Sequence, residues 1–325
     1  MLNNQVVIAL VILFSPLTFA KLSDSAGLSG ELSLSSGYIS SRSNFNTDSN
    51  AIISNSDQKA KSDSNLLLLP LGSVSLTFGK GQNKQIYVGT SQEDVAVGTL
   101  ALELGFKLQL DNSTVIDISY LPNKMSGETW ADPFLVGSSR RVTEQQGNAY
   151  RLKVSNIAGS GFTIDTAIAT QEIDNERSGL DSGYDANVLD RNADNLYVKG
   201  SFRLYFNRVI FLSPSFTYTD SDATGAANSN HSFGGDLSLI QRYDRHQLAL
   251  TAGYVERSYD TVHPVYNLIR DDSEVMFFAA YEYHQFMGWS NVSFISLAGY
   301  GETNSNIQFY DSEQLIISSG IGIRF

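Results

Sequence analysis

Not one of the 325 residues is a cysteine. That absence excludes a disulfide scaffold, a zinc–thiolate site, a thiol nucleophile and the lipidated cysteine of a bacterial lipoprotein. Basic charge is scarce too: 22 Lys and Arg stand against 34 Asp and Glu, a formal net charge of −12. A chain this acidic is a poor match for nucleic acid. No apolar run is long enough for a membrane helix. The best is "VVIALVILF" at 6–14, about half of what a helical span needs. A mean hydropathy of −0.13 excludes a polytopic helical membrane protein.

The composition, 42% hydrophobic and 17% charged, is too apolar for disorder. The run at 6–14, followed by "SPLTFA", predicts a secretory signal peptide over residues 1–20 with cleavage after Ala20, although no Lys or Arg precedes it. Residues 21–325 are then one exported domain. An exported chain without cysteine or a membrane helix belongs in the periplasm, outside the cell, or in the outer membrane as a barrel.

The rest of the chain lacks a helical period of useful length and repeats a different unit. In "TLALELGFKLQL", Leu100, Leu102, Leu104, Phe106, Leu108 and Leu110 share one parity, while Glu103, Lys107 and Gln109 share the other. "NLYVKGSFRLYF" repeats the pattern, with Leu196, Val198, Phe202 and Leu204 against Lys199, Ser201 and Arg203. Alternation also suits a sandwich, but sandwich strands are nearer five or six residues. Units of ten or more, apolar along one face, match a membrane strand. Fourteen such units run from 27–42 to 312–325, and the short unit at 84–91 leaves twelve as the alternative. Connections alternate between short ("DNS", "AGS", "NR", "DRH") and long (43–64, 123–146, 172–193). The reading is all-β: a transmembrane antiparallel up-and-down barrel of about fourteen strands, with both termini periplasmic. Tyr38, Tyr120, Tyr150, Tyr218, Tyr254 and Tyr300 lie toward the long loops. Phe78, Phe162, Phe206, Tyr243, Tyr283 and Phe325 lie toward the short turns. Two aromatic belts are expected at the two interfaces of a bilayer.

The last residues, "SSGIGIRF", resemble the C-terminal targeting strand of bacterial outer-membrane barrels: Ser318, Gly320, Ile323 and a terminal Phe325. The resemblance implies recognition by the barrel-assembly machinery. Across its length the chain is similar to an uncharacterised family of gammaproteobacterial outer-membrane proteins, a likeness that brings no substrate with it.

No catalytic motif or cofactor site stands out, and an enzyme is not expected. Of four histidines, only His284 falls on an inward parity, beside Glu282, where it reads as lumen filling. "DSDATG" at 220–225 lacks the later glutamate of a calcium loop, and no metal site is expected. Inward charge is more informative. The lumen parity carries Lys107, Arg151, Lys153, Lys199, Arg203, Arg242 and Arg324 against Glu31, Glu103, Asp117, Asp165, Asp236 and Glu282. On the lipid side each charge would cost about 2–4 kcal/mol near the midplane, so this split is enforced by energy.

Arg151, Lys153, Lys199 and Arg203, with Asp117 and Asp165 between them, should form a net positive wall. The expectation is a channel for small solutes with weak anion preference. The residues Phe211, Met276, Phe278, Ile295 and Leu297, apolar yet on the inward parity, support the alternative of a transporter for apolar molecules. A third reading is a non-conducting barrel whose acidic loops bind lipopolysaccharide, divalent ions or a partner. Residues 123–146, with Trp130, Pro133, Arg140 and Arg141, are the candidate to fold inward and narrow the pore, lying over the mouth being the alternative. Porin trimers use more strands than this chain offers, an analogy that leans to a monomer.

Overall fold

The protein is described by a computed structural model covering residues 22–23, 25–91, 94–95 and 101–325, without the side chains of 123–126. The expected signal peptide at 1–20 lies outside the described residues. Fourteen antiparallel strands follow in chain order: β1 (Gly27–Arg42), β2 (Ser62–Phe78), β3 (Lys84–Thr90), β4 (Leu102–Gln109), β5 (Val115–Trp130), β6 (Val142–Ser155) and β7 (Phe162–Ile173). Then come β8 (Ala193–Phe202, resumed at Leu204–Tyr205), β9 (Ile210–Ala223), β10 (Asn230–Tyr243), β11 (His246–His263), β12 (Leu268–His284), β13 (Val292–Ser305) and β14 (Ser312–Arg324). Each strand pairs with its sequence neighbours, and β14 pairs with β1 from Glu31↔Arg324 to Arg42↔Glu313. The barrel is closed. Closure leaves no strand edge to be satisfied by lipid, which a membrane sheet cannot tolerate.

The alternation is resolved as the sequence predicts. Leu32, Leu34, Leu66, Leu68, Ile118, Ile168 and Phe216 stand outward and more than half exposed. That is a surface water would penalise and a bilayer rewards. Outward rings mark both ends of the wall, Tyr38, Tyr150 and Tyr254 at one and Phe78, Phe206, Tyr243 and Phe325 at the other. Tyr120 and Tyr150 sit opposite one another with ring centroids 5.3 Å apart.

The strands are longer than their apolar spans. A membrane strand needs about 9–11 residues, whereas β11 has 18 and β12 has 17. The surplus projects from one rim, here the loop end; the other is the turn end. Connections expected to be long are therefore shorter than predicted. Between β5 and β6 only 131–141 remain, and between β11 and β12 only 264–267. Beyond the bilayer both faces of a strand can be polar, so hydropathy fades while the hydrogen-bonded ladder continues.

The projecting ladders carry a second, separate core. Phe45 and Ile53 from the β1–β2 loop, Phe134, Leu189, Ala227, Tyr266, Ile307 and Phe309 from five further loops pack into one apolar cluster. Leu189 belongs to α1 (Ala186–Leu189), a single turn capped by the Asp185 side chain. Six loops thus form a cap across the loop end.

Candidate functional site

The lumen is lined by the polar parity of the strands, and its charges are not scattered. Arg151 on β6 is gripped by three carboxylates. Its guanidinium meets Asp165 at 2.5 and 2.8 Å, Asp94 at 2.7 and 3.3 Å, and Glu103 at 3.3 Å. Glu103 also accepts from Ser119 (2.8 Å) and from the Tyr87 hydroxyl (3.1 Å), which donates to Asp117 at 2.9 Å as well. Lys107 lies 3.7 Å from Asp117 and 4.4 Å from the centre of the Tyr87 ring. The ring fits because the facing residue is Gly105, where an added Cβ would stand 2.5 Å from it. Lys153 reaches Asp94 at 3.8 Å. Further round, Lys199 pairs with Asp236 at 2.7 Å, and the Ser215 hydroxyl donates to the same carboxylate.

Arg324 fastens the closing seam. It pairs with Glu31 on β1 at 2.7 Å and Glu282 on β12 at 2.8 Å, and touches His284 Nδ1 at 3.1 Å. His284 Nδ1 also faces Glu282 (3.1 Å) and Ser293 Oγ (3.3 Å). All three contacts fall on one ring nitrogen. A serine–histidine–carboxylate relay needs the acid and the serine on opposite nitrogens, so this is a lumen network, as expected of His284.

All ten lumen residues named from the sequence point inward, but two features escaped that reading. Asp94 is the first. It lies in the β3–β4 connection, and it enters the lumen to bind Arg151. Of the two readings open for 123–146, the contacts of residues 131–141 match the loop lying over the mouth. Trp130 Nε1 donates to the Asn44 carbonyl (3.0 Å), Arg140 donates to the Asn50 and Pro133 carbonyls, and Ile53 bridges to Val136. These contacts put that loop in the cap, where the ring of Phe134, 2% exposed, is worth more buried among other loops than exposed in water.

The polar frame of the cap is the second feature. Arg270 lies 3.4 Å over the Tyr310 ring and pairs with Asp272 at 2.6 Å. Asp132 accepts from the backbone of Phe134 and Gly179 and from Ser182. Arg191 joins Glu176 (2.9 Å) to the Trp130 carbonyl (2.6 Å). Burial and the neighbouring Arg270 push the pKa of His263 down to about 4. Burial lowers Arg140 to about 10. The acidic loop after β7 is engaged as well: Asp181 with Arg177 and Arg141, Glu176 with Arg191, Asp185 and Asp190 with backbone amides. Its pairing with Arg177 holds Asp181 at about 2. Among the described residues no cluster of acids and histidines is arranged to hold a metal ion.

Among the described residues, two chambers can be traced between the cap and the turn end. The larger, about 1900 Å³, runs along β6 to β11. Its lining includes six basic side chains (Arg151, Lys153, Lys199, Arg203, Arg208, Arg242) against three acidic ones (Asp94, Asp165, Asp236). The smaller, about 670 Å³, lies between β1–β2 and β11–β13 and is walled by Leu71, Val95, Ala249, Ala280, Ile295 and Leu297, with Glu31 and Glu282 at its edge. Asp94 lines the first chamber and its neighbour Val95 the second.

Residues 27–324 match the family described as "Protein of unknown function (DUF2860)". The chain belongs to this family. No curated protein matches it in sequence. Solved structures of similar fold include in-vitro folded OmpT, an outer membrane protein of Vibrio cholerae, at 10% identity over 94% of this chain and 100% of that one (TM-score 0.43). Another is the outer membrane channel DcaP of Acinetobacter baumannii, at 9% identity over 94% and 100% (TM-score 0.40). A third is the CymD monoaromatic hydrocarbon channel, at 8% identity over 93% and 89% (TM-score 0.47). At such identities the likeness is of fold alone. The closed fourteen-strand barrel of this DUF2860 chain, with its capped loop end and charged, chambered lumen, rests on the chain's own geometry.

Proposed function

We propose that this protein is a channel of the outer membrane that admits small solutes into its lumen and prefers anions. The observation that carries the reading is the lining of the larger chamber, six bases to three acids. In a narrow, low-dielectric passage such an excess raises the local concentration of anions and lowers that of cations. Three of the bases are partly neutralised where they stand: Arg151 and Lys153 by Asp94, Lys199 by Asp236. Of the others, Arg208 and Arg242 lie toward the turn end. Exchange with the loop side requires the cap to part, because its loops pack apolar side chains across that end. The barrel acts as a monomer, is inserted by the barrel-assembly machinery through its terminal strand, and is oriented with the cap facing outward among lipopolysaccharide.

A second reading, passage of apolar molecules, is favoured by the lining of the smaller chamber. Reversal potentials in a salt gradient across a planar bilayer test the proposal. Anion selectivity is expected, and it should fall on replacing Arg208 and Arg242 by Gln. A wild-type protein that is cation-selective, or one that stays non-conducting even after the cap is disrupted by Phe309→Ala, overturns it.

A further inference from the structure

The ladder registers arrange the turn end of the lumen in levels. Phe211 on β9 pairs with Tyr205 on one side and Ile240 on the other, and Ile240 pairs with Ala249. Ala249 pairs with Ala280, and Ala280 with Leu297. Cross-strand partners share a face, so these six residues make one apolar shelf along the wall, continuous from the basic chamber into the apolar one. The rings of Tyr205 and Phe211 lie 5.3 Å apart. Ile240, Ala249 and Leu297 are already buried, but Tyr205 is 65% exposed and Phe211 half-buried, and apolar surface facing an aqueous lumen carries a cost of hydration that an apolar ligand would remove.

One inward position beyond the shelf, toward the turn end, stands Arg242, about 7 Å along the strand from Ile240. Arg208 projects from the β8–β9 turn into the same chamber. Asp244 in the β10–β11 turn is the acid nearest Arg242 in sequence and forms no ion pair with it, and Glu282, two strands round, is engaged by Arg324. Among the described residues neither Arg208 nor Arg242 forms an ion pair. Two guanidinium groups without acidic partners at the lip of an apolar shelf are a recognition element for a planar anion with an apolar body. Guanidinium meets a carboxylate in a bidentate fashion, and the shelf takes the rest of the molecule.

We infer that this end of the lumen is a binding site for small aromatic or aliphatic carboxylates, the carboxylate on Arg208 and Arg242 and the hydrocarbon on Tyr205, Phe211 and Ile240. The inference deepens the anion-channel reading and rests on it for the physiological role, but binding itself does not require conduction. It also unites the two linings: neither a bare inorganic anion nor a neutral hydrocarbon uses both.

The test is calorimetric titration of the folded barrel in detergent with three probes: benzoate, acetate and benzyl alcohol. Benzoate should bind about tenfold or more tighter than either, since it alone offers both a charge for the guanidinium groups and a ring for the shelf. The double variant Arg208→Gln/Arg242→Gln should weaken benzoate about tenfold and leave benzyl alcohol unchanged. Phe211→Ser should weaken benzoate and leave acetate unchanged. Equal affinities for benzoate and acetate, or for benzoate and benzyl alcohol, overturn the inference with no variant needed. So does a double variant, still heat-modifiable and therefore folded, that binds benzoate as wild type does. Bilayer recordings separate the two claims: conduction without benzoate binding removes this site alone, and benzoate binding without conduction removes the channel and keeps the site.

Discussion

Gly30 and Phe325 exchange both backbone hydrogen bonds, at 2.9 and 3.0 Å, and the Phe325 ring covers the space a Gly30 side chain would need. A Cβ on Gly30 would stand 2.6 Å from the ring. First and last strands therefore meet through a residue with no side chain and a residue whose side chain fills that vacancy. Gly30→Val should force the ring aside, and Phe325→Ser should empty the place. Both should lower the yield of heat-modifiable barrel in the membrane fraction. Normal yield from both variants would separate this contact from assembly.

The cap should be removable without the barrel. Phe309 is fully buried among the loops, and Phe309→Ala should cost the cap about 3–5 kcal/mol. Limited proteolysis should then cut the loops faster while the heat-modifiable barrel persists, and single-channel openings should become more frequent.

Acid should loosen the same cap. The Val265 amide donates to His263 Nδ1 at 3.2 Å, so the proton sits on Nε2, which donates to Tyr310 Oη at 2.8 Å. Phe134 and Tyr266 pack their rings against the imidazole, and Arg270 is the charged group beside it. A second proton would cancel the Nδ1 acceptor and set a cation next to Arg270. With the ordinary value of 6.5 lowered to about 4, the opened cap binds a proton that the closed cap refuses. Cap stability therefore falls as the pH drops from about 6.5 toward 4 and levels off below, by up to about 3 kcal/mol. Loop protease sensitivity between pH 7 and 4 measures this, and His263→Gln should flatten the profile.

Within the lumen, Asp94→Asn removes one of three carboxylates around Arg151 and leaves the wall more positive. Reversal potentials should move toward stronger anion selectivity. Arg151→Gln is the harsher change, since Asp94, Glu103 and Asp165 lose their common partner. A loss of about 3–5 kcal/mol in barrel stability is expected, read as a lower melting temperature.

Orientation can be checked from outside the cell. A cysteine at 55, in the β1–β2 loop, should react with an impermeant reagent on whole cells, and one at 112, in the β4–β5 turn, should not. The reverse pattern would place the cap in the periplasm.

The wall was legible in the sequence because lipid imposes a penalty on every outward residue, and strand after strand repeats it. Register made the charged wall legible too: Lys153 does face Asp117 on one side and Asp165 on the other. The cap was not legible. Its core draws one to three apolar residues from each of six polar loops, with no period to announce them, and Asn44 meets Phe309 across 265 positions. Asp94 was hidden likewise, as a single acid in a connection whose direction no alternation records.

Those separations set an order of events. Arg324 can find Glu31 only when the two ends of the sheet have met, across 293 positions, and Asn44 can reach Phe309 only when the same ends are near. Contacts so remote carry the largest loop-closure entropy and come late. The contacts that join the two ends of the chain, in wall and cap alike, therefore complete together, after neighbouring hairpins and the nearer loop contacts have formed.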